Sequence, residues 1–158
     1  MPKSFYRSLG LVVLLLAVGS VGGARAQSQA SAHQETTPSL YKRLGGYDAL
    51  AAVTDDFVGR LVTDPKLARF FGGVSNDSKK RIRQLVLDQL CAATGGPCIY
   101  IGRSMRTVHE GLGITEDDWN LAVSHLVETL DKFKVPKAEK DDLFKILGPL
   151  KADIVDKK

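Results

Sequence analysis

Only two cysteines, two methionines, three histidines and one tryptophan occur in this chain of 158 residues. Two cysteines are too few for a small fold held together mainly by disulfides. Cys91 and Cys98 also lack the C-x-x-C spacing of a structural zinc site. There is no G-x-x-x-x-G-K-[ST] loop to cradle nucleotide phosphates and no G-x-S-x-G elbow to present a serine nucleophile. Excess charge is equally scarce: 22 Lys+Arg against 18 Asp+Glu give a formal +4. Residues 1–26 hold Lys3, Arg7 and Arg25 and no acid, so without those three the chain stands at +1. A nearly neutral body has no electrostatic footprint for a phosphate backbone, which excludes nucleic acid as a partner. The acids are spread over helix faces that read as solvated, with no buried pair suited to acid–base work. What remains is a composition of 44% hydrophobic and 25% charged residues, enough to build one core and one domain.

Residues 1–26 read as an export signal. Lys3 and Arg7 give a basic start, Leu9 to Val21 is mostly apolar, and Ala24-Arg25-Ala26 places small residues before Gln27. The alternative is a retained N-terminal anchor. The strongly apolar stretch Leu11 to Val18 is too short to cross roughly 30 Å of hydrocarbon, and no other segment is apolar enough to insert. Either way the domain is expected outside the cytoplasm, periplasmic or secreted. Residues 27–38 (QSQASAHQETTP) are polar and aperiodic, a flexible linker in which His33 is solvated. The domain proper is expected over 39–158.

From Ser39 onwards no convincing strand alternation occurs, and the apolar spacing is helical. Tyr41–Leu44 stops at Gly45-Gly46. Tyr47–Thr63 carries Leu50, Val53, Phe57, Leu61 and Val62 at spacings of three and four, so one face is buried. A short segment after Asp64-Pro65 holds Leu67, Phe70 and Phe71. Asn76–Thr94 has Ile82, Leu85, Val86, Gln89, Leu90 and Ala93 on one side and ends at Gly95-Gly96-Pro97. A turn or two of helix covers Arg103–Gly111. Thr115 with Glu116, Asp117 and Asp118 marks the start of a helix to about Phe133. Pro136 begins a last helix with Leu143, Ile146, Leu147, Leu150 and Ile154 on one side. The fold class is all-α.

His125, near Glu128, reads as a surface or boundary residue. His109 is different: Met105 lies one turn before it on the same face, and Val108 adjoins it. Gly111-Leu-Gly-Ile114 then turns the chain before the helix that carries Trp119. A lone imidazole among apolar side chains suits a single protein ligand to a large apolar cofactor such as haem. On these residues alone, a core histidine satisfied by a backbone carbonyl is the better reading. No C-x-x-C-H is present, which excludes thioether attachment of haem through that motif.

In these residues the chain resembles the truncated haemoglobins, group 1 in particular. The likeness runs over about 39–150: Leu40-Tyr-Lys-Arg-Leu-Gly-Gly46, Phe70-Phe71-Gly72, Thr94-Gly-Gly-Pro97, Tyr100-Ile-Gly102, Met105-Arg-Thr-Val-His109, Gly113-Ile-Thr115 and Val135-Pro136. Each motif is short, but together they occur in order and at family-like spacing. The resemblance implies a two-over-two helical sandwich around one non-covalent haem b per chain, with His109 as proximal iron ligand. Phe71 matches the aromatic residue that packs on the porphyrin. Met105, Ile114 and Trp119 match proximal contacts, and Leu85, Val86 and Val108 complete the expected cofactor contacts.

The distal side departs from the family's pattern. Its usual tyrosine, which hydrogen-bonds the bound ligand, aligns with Val58, and its usual glutamines align with Ile82 and Val86. Gln84 or Gln89 would serve only if the helix were shifted in register. An apolar pocket made by Val58, Ile82 and Val86 weakens the hold on oxygen and favours neutral ligands such as CO or NO. The resemblance therefore implies reversible binding of a diatomic gas (O₂, NO or CO) at the iron, for binding, transport or detoxification. Nitric-oxide dioxygenation or peroxidase chemistry would use the same iron. Either would need a reductant that the sequence does not identify, since no flavin or nicotinamide fingerprint is present. A haem-free helical interaction module, with His109 in its core, is the third reading. For Cys91 and Cys98 two states are open: free thiols, or a disulfide closed by the chain reversal at Gly95-Gly96-Pro97 and favoured by an oxidising compartment.

Overall fold

The computed structural model describes residues 37–156, so the export-signal region, His33 and the linker up to residue 36 lie outside it. Seven α-helices follow in order: α1 (Leu40–Arg43), α2 (Gly46–Thr63), α3 (Asn76–Ala93), α4 (Met105–His109), α5 (Glu116–Lys132), α6 (Lys137–Leu147) and α7 (Lys151–Ile154). A 3-10 segment, Ala68–Phe71, lies between α2 and α3, and a second, Gly148–Leu150, between α6 and α7. No strand occurs among the described residues.

Side chains set the helix starts. The Ser39, Ser75 and Ser104 hydroxyls accept from the backbone N–H groups of Lys42, Ser78 and Thr107. At α5, Thr115 and Asp118 form a reciprocal capping box. The Asp64 carboxylate accepts from Lys66 N and Leu67 N at 2.8 and 3.1 Å, turning the chain sharply out of α2. The last helix is not continuous as expected. Pro149 has no N–H to donate one turn back, so the chain tightens into the 3-10 segment before α7 resumes. The helix at His109 is also shorter than 103–111, because Ser104 caps it and Glu110 leaves it in extended backbone.

The two layers are α2 with α3 and α5 with α6: α2 packs on both α3 and α5, and α5 and α6 meet in one cluster through Leu126, Leu130 and Leu143. Leu40, Val53, Leu90, Leu126, Leu130 and Leu143 meet at the centre, drawing on α1, α2, α3, α5 and α6. Asp56 ties α2 to α5 at the layer boundary. It takes hydrogen bonds from Arg60 Nε at 2.7 Å and Thr129 Oγ1 at 2.8 Å, and an ion pair from Lys132. Lys132 first and Arg60 second hold its carboxyl well below the usual carboxylate range. Its stabilising contribution is therefore present above about pH 3.9, the unfolded value, and lost as pH falls through the lower folded value. Asp56→Asn should lower the melting temperature at neutral pH by roughly 3–6 °C. That gap should narrow below pH 4, which a melting series from pH 7 to pH 2.5 reads directly.

Cys91 and Cys98 form a disulfide with Cα atoms 5.7 Å apart, resolving the two states left open by the sequence. Gly95 has φ +83°, and the Gly96 N–H returns to the Cys91 carbonyl at 2.8 Å, closing the helix and reversing the chain. A Cβ on Gly96 would lie 2.5 Å from the Tyr41 ring and 2.7 Å from Cys91 Sγ, so only glycine fits there. The bridge packs against Leu50, Leu87, Tyr41 and Leu44. For so small a loop, reduction should cost about 2–3 kcal/mol. Chemical melts with and without a phosphine reductant check this, and the Cys91→Ser/Cys98→Ser variant should reproduce the reduced curve.

Candidate functional site

Between the layers lies a cavity of about 600 Å³ lined almost wholly by apolar side chains. Such a volume lies within the range of small-molecule and cofactor sites. The α2 wall gives Phe57, Val58 and Leu61, and α3 gives Ile82, Leu85, Val86, Gln89 and Leu90. The first 3-10 segment contributes Phe70 and Phe71; α4 and the loop after it contribute Met105, Val108, His109, Leu112 and Ile114. Asp118, Trp119 and Leu126 come from α5, and Phe144 and Leu147 from α6. Every residue the sequence nominated, His109 with Phe71, Leu85, Val86, Met105, Val108, Ile114, Trp119, Val58 and Ile82, lines this one space.

Among the described residues His109 is the only imidazole in the lining. Its Nδ1 lies 2.7 Å from the Met105 carbonyl, one turn earlier on α4. A carbonyl can only accept, so in the neutral ring Nδ1 carries the proton and Nε2 keeps its lone pair. This orienting bond is the arrangement a metal-bound histidine uses, and it raises the basicity of the coordinating nitrogen. The chain's C-terminal part holds α4 in place. Arg106 Nη2 donates to Asp153 at 2.5 Å, Gly113 N donates to Asp156 Oδ2 at 2.6 Å, and Asp156 N donates to the Ile114 carbonyl at 2.9 Å. Gly111 and Gly113, with φ +78° and +69°, supply the turn that this requires.

The α3 wall corrects the reading of the two glutamines. Gln84 points away from the cavity, donating to Asp88 Oδ1 at 2.8 Å and to the Tyr47 hydroxyl at 3.2 Å. Gln89 lines the cavity, one turn beyond Val86, and has no hydrogen-bond partner among the described residues. One acid read as surface is also placed differently, whereas His125 is the boundary residue expected. Asp118 is buried at the cavity wall, accepting from Thr115 N at 2.9 Å, Thr115 Oγ1 at 2.7 Å and Arg69 Nη2 at 2.7 Å. The Thr115 backbone bond above all, with the Thr115 hydroxyl and Arg69, holds its carboxyl below the usual range. His125 is half-buried outside the cavity, its Nε2 2.9 Å from Asp64 Oδ2. No sequence signal could have found either contact, since Arg69 and Asp64 lie 49 and 61 residues from their partners.

A broad apolar slot with one oriented, unprotonated imidazole nitrogen fits a haem. The residues present offer iron a nitrogen ligand and the porphyrin its apolar walls.

Comparison with known proteins agrees with this geometry. A family model described as bacterial-like globin matches residues 39–156. The group 1 truncated haemoglobin GlbN of Mycolicibacterium paratuberculosis is 34% identical over 116 residues, covering 73% of this chain and 83% of the relative. The group 1 truncated haemoglobin LI410 of Chlamydomonas moewusii is 30% identical over 142 residues, covering 83% of this chain and 81% of its own. Among solved structures, the Fe(III) truncated haemoglobin of Tetrahymena pyriformis superposes with a TM-score of 0.70 at 23% identity. It covers 76% of this chain and 100% of its own. The 2/2 haemoglobin of a Synechococcus species, solved with covalently attached haem, reaches 0.69 at 28% identity, covering 76% of this chain and all of its own. Fold, cavity and sequence therefore agree: the chain belongs to the bacterial-like globins, as a group 1 truncated haemoglobin, a haem-based gas-binding globin.

Proposed function

We propose that this globin is an exported haem b protein, with one non-covalent haem per chain held by His109, that binds a diatomic gas reversibly. The observation that carries the reading is the His109–Met105 hydrogen bond. It leaves Nε2 with a free lone pair in a cavity lined almost wholly by apolar side chains. Haem iron supplies, when bound, an open coordination position for O₂, NO or CO. The chain's own residues do the rest. His109 holds the metal, Phe71, Leu85, Met105, Ile114 and Trp119 exclude water from the macrocycle, and Val58, Ile82 and Val86 surround the ligand's place with apolar surface. Non-covalent attachment is supported by the two cysteines, both of which are committed to the disulfide. Export is supported by the leader's basic start and apolar run, and by a disulfide of the kind that oxidising compartments maintain.

Adding hemin to the purified chain should produce a Soret band that saturates at one equivalent. Reduction under CO should shift that band sharply. A chain that stays colourless would return the reading to a haem-free helical module. Fractionation of cells with mass spectrometry of alkylated, unreduced protein tests export: the bridged chain, beginning near Gln27, should be in the periplasm or medium.

A further inference from the structure

Asp118 is the buried carboxylate that gas binding leaves without a task. It is 6% exposed and lines the cavity, yet every hydrogen bond it accepts falls on one oxygen, Oδ2. The two bonds from Thr115, one of them half of the capping box, serve the start of α5 alone. The third, from Arg69, does something a cap does not. It reaches from the start of α5 to the 3-10 segment Ala68–Phe71, an element that packs chiefly on α2. That segment carries Phe70 and Phe71 into the cavity, while α5 carries Asp118 and Trp119. The ion pair thus joins two walls of one cavity across 49 residues of chain. The Arg69 guanidinium also lies 4.4 Å over the Phe70 ring, so the same side chain fixes an aromatic of the lining.

We propose that the Arg69–Asp118 pair is a latch that keeps the Phe70–Phe71 wall closed on the haem and sets the rate of haem release. The latch rests on the haem-binding reading of the site. Its geometry suits the role. Asp118 is fixed by α5, whereas Arg69 is half-exposed and sits on a short segment without an α-helix's own ladder of hydrogen bonds. Parting of this pair frees Arg69 from α5 without unfolding a helix. Thr115 and Arg69 keep the Asp118 carboxyl charged, so the latch stays set at neutral pH.

The test uses hemin-loaded full-length chain mixed with excess apomyoglobin as acceptor, following hemin transfer by absorbance. Asp118→Asn keeps an oxygen for Thr115 but removes the charge, and Arg69→Gln removes the other partner. Each should speed hemin loss about tenfold; the apo-protein melting temperature should be unchanged in Arg69→Gln and lowered in Asp118→Asn, which also weakens the α5 cap. The double variant should be no faster than either single, as expected for two residues acting as one device. Should Asp118→Asn fail to fold, Arg69→Gln alone carries the test, since that side chain is half-exposed. Three results would overturn the latch: a hemin off-rate within twofold of wild type in Arg69→Gln, multiplicative effects in the double variant, or equal acceleration by Arg83→Gln, which breaks the α2–α3 ion pair with Asp55 instead. A wild-type chain without a Soret band removes the haem reading and the latch together. A wild-type chain with one, and unaltered off-rates in the variants, removes the latch alone.

Discussion

His109→Ala is expected to lose the five-coordinate ferrous spectrum altogether and to weaken hemin binding by more than about 100-fold. Loss of a partner that merely orients a metal ligand typically costs 10- to 100-fold, so loss of the ligand itself costs more. The apolar walls remain in the variant, and hemin can still partition loosely between them. Added imidazole should then restore the spectrum by occupying the space the side chain vacated. The control is His125→Ala. His125 lies outside the cavity, bonded to Asp64, and its removal should lower stability without changing the spectrum. A normal ferrous spectrum in His109→Ala together with its loss in His125→Ala would reverse the assignment.

Val58→Tyr is expected to slow oxygen dissociation by roughly 10- to 100-fold. Val58 is buried on α2 beside Ile82 and Val86, and none of the three offers a hydrogen-bond donor. A phenol placed there gives the bound ligand a partner. Hydrogen bonds to charged groups contribute about 1.5–3 kcal/mol, and each 1.4 kcal/mol is tenfold in rate. In the wild-type chain oxygen should leave fast, and the C–O stretch of the CO complex should report weakly polar surroundings. Gln89 is the one amide in the lining. Gln89→Leu should change the oxygen off-rate less than threefold. A larger acceleration would make Gln89 the donor and the pocket polar.

Much of this molecule could be read before its coordinates. Helical spacing located α2, α3 and α5, because a buried stripe repeats at three and four residues whatever it is buried against. The same indifference explains what was missed. Leu61, Phe144 and Leu147 carry the pattern of core residues but line the cavity, and nothing in spacing separates a wall from a core. Gln89 shares the face of Val86 for the ordinary reason that residues three apart on a helix do, yet an alignment to family positions set it aside. Asp56 pairs with Arg60 within α2, but its ties to Lys132 and Thr129, like that of Asp118 to Arg69, were illegible for another reason: these partners come from other elements, and surface acids and buried ones have the same spacing until the helices are packed. The helix break at Gly148–Leu150 was visible as Pro149, but the apolar periodicity across it, from Leu143 to Ile154, hid it.

The bonds from Asp156 to Gly113 and Ile114 give the site an order of assembly. Gly113 must wait for 43 more residues of chain before its amide finds that carboxylate. While the chain is being made, the turn behind His109 lacks the bonds that fix it. The imidazole therefore acquires its final aim late. Cofactor capture would then follow the docking of α7, which on the proposed export places it after the chain has crossed the membrane.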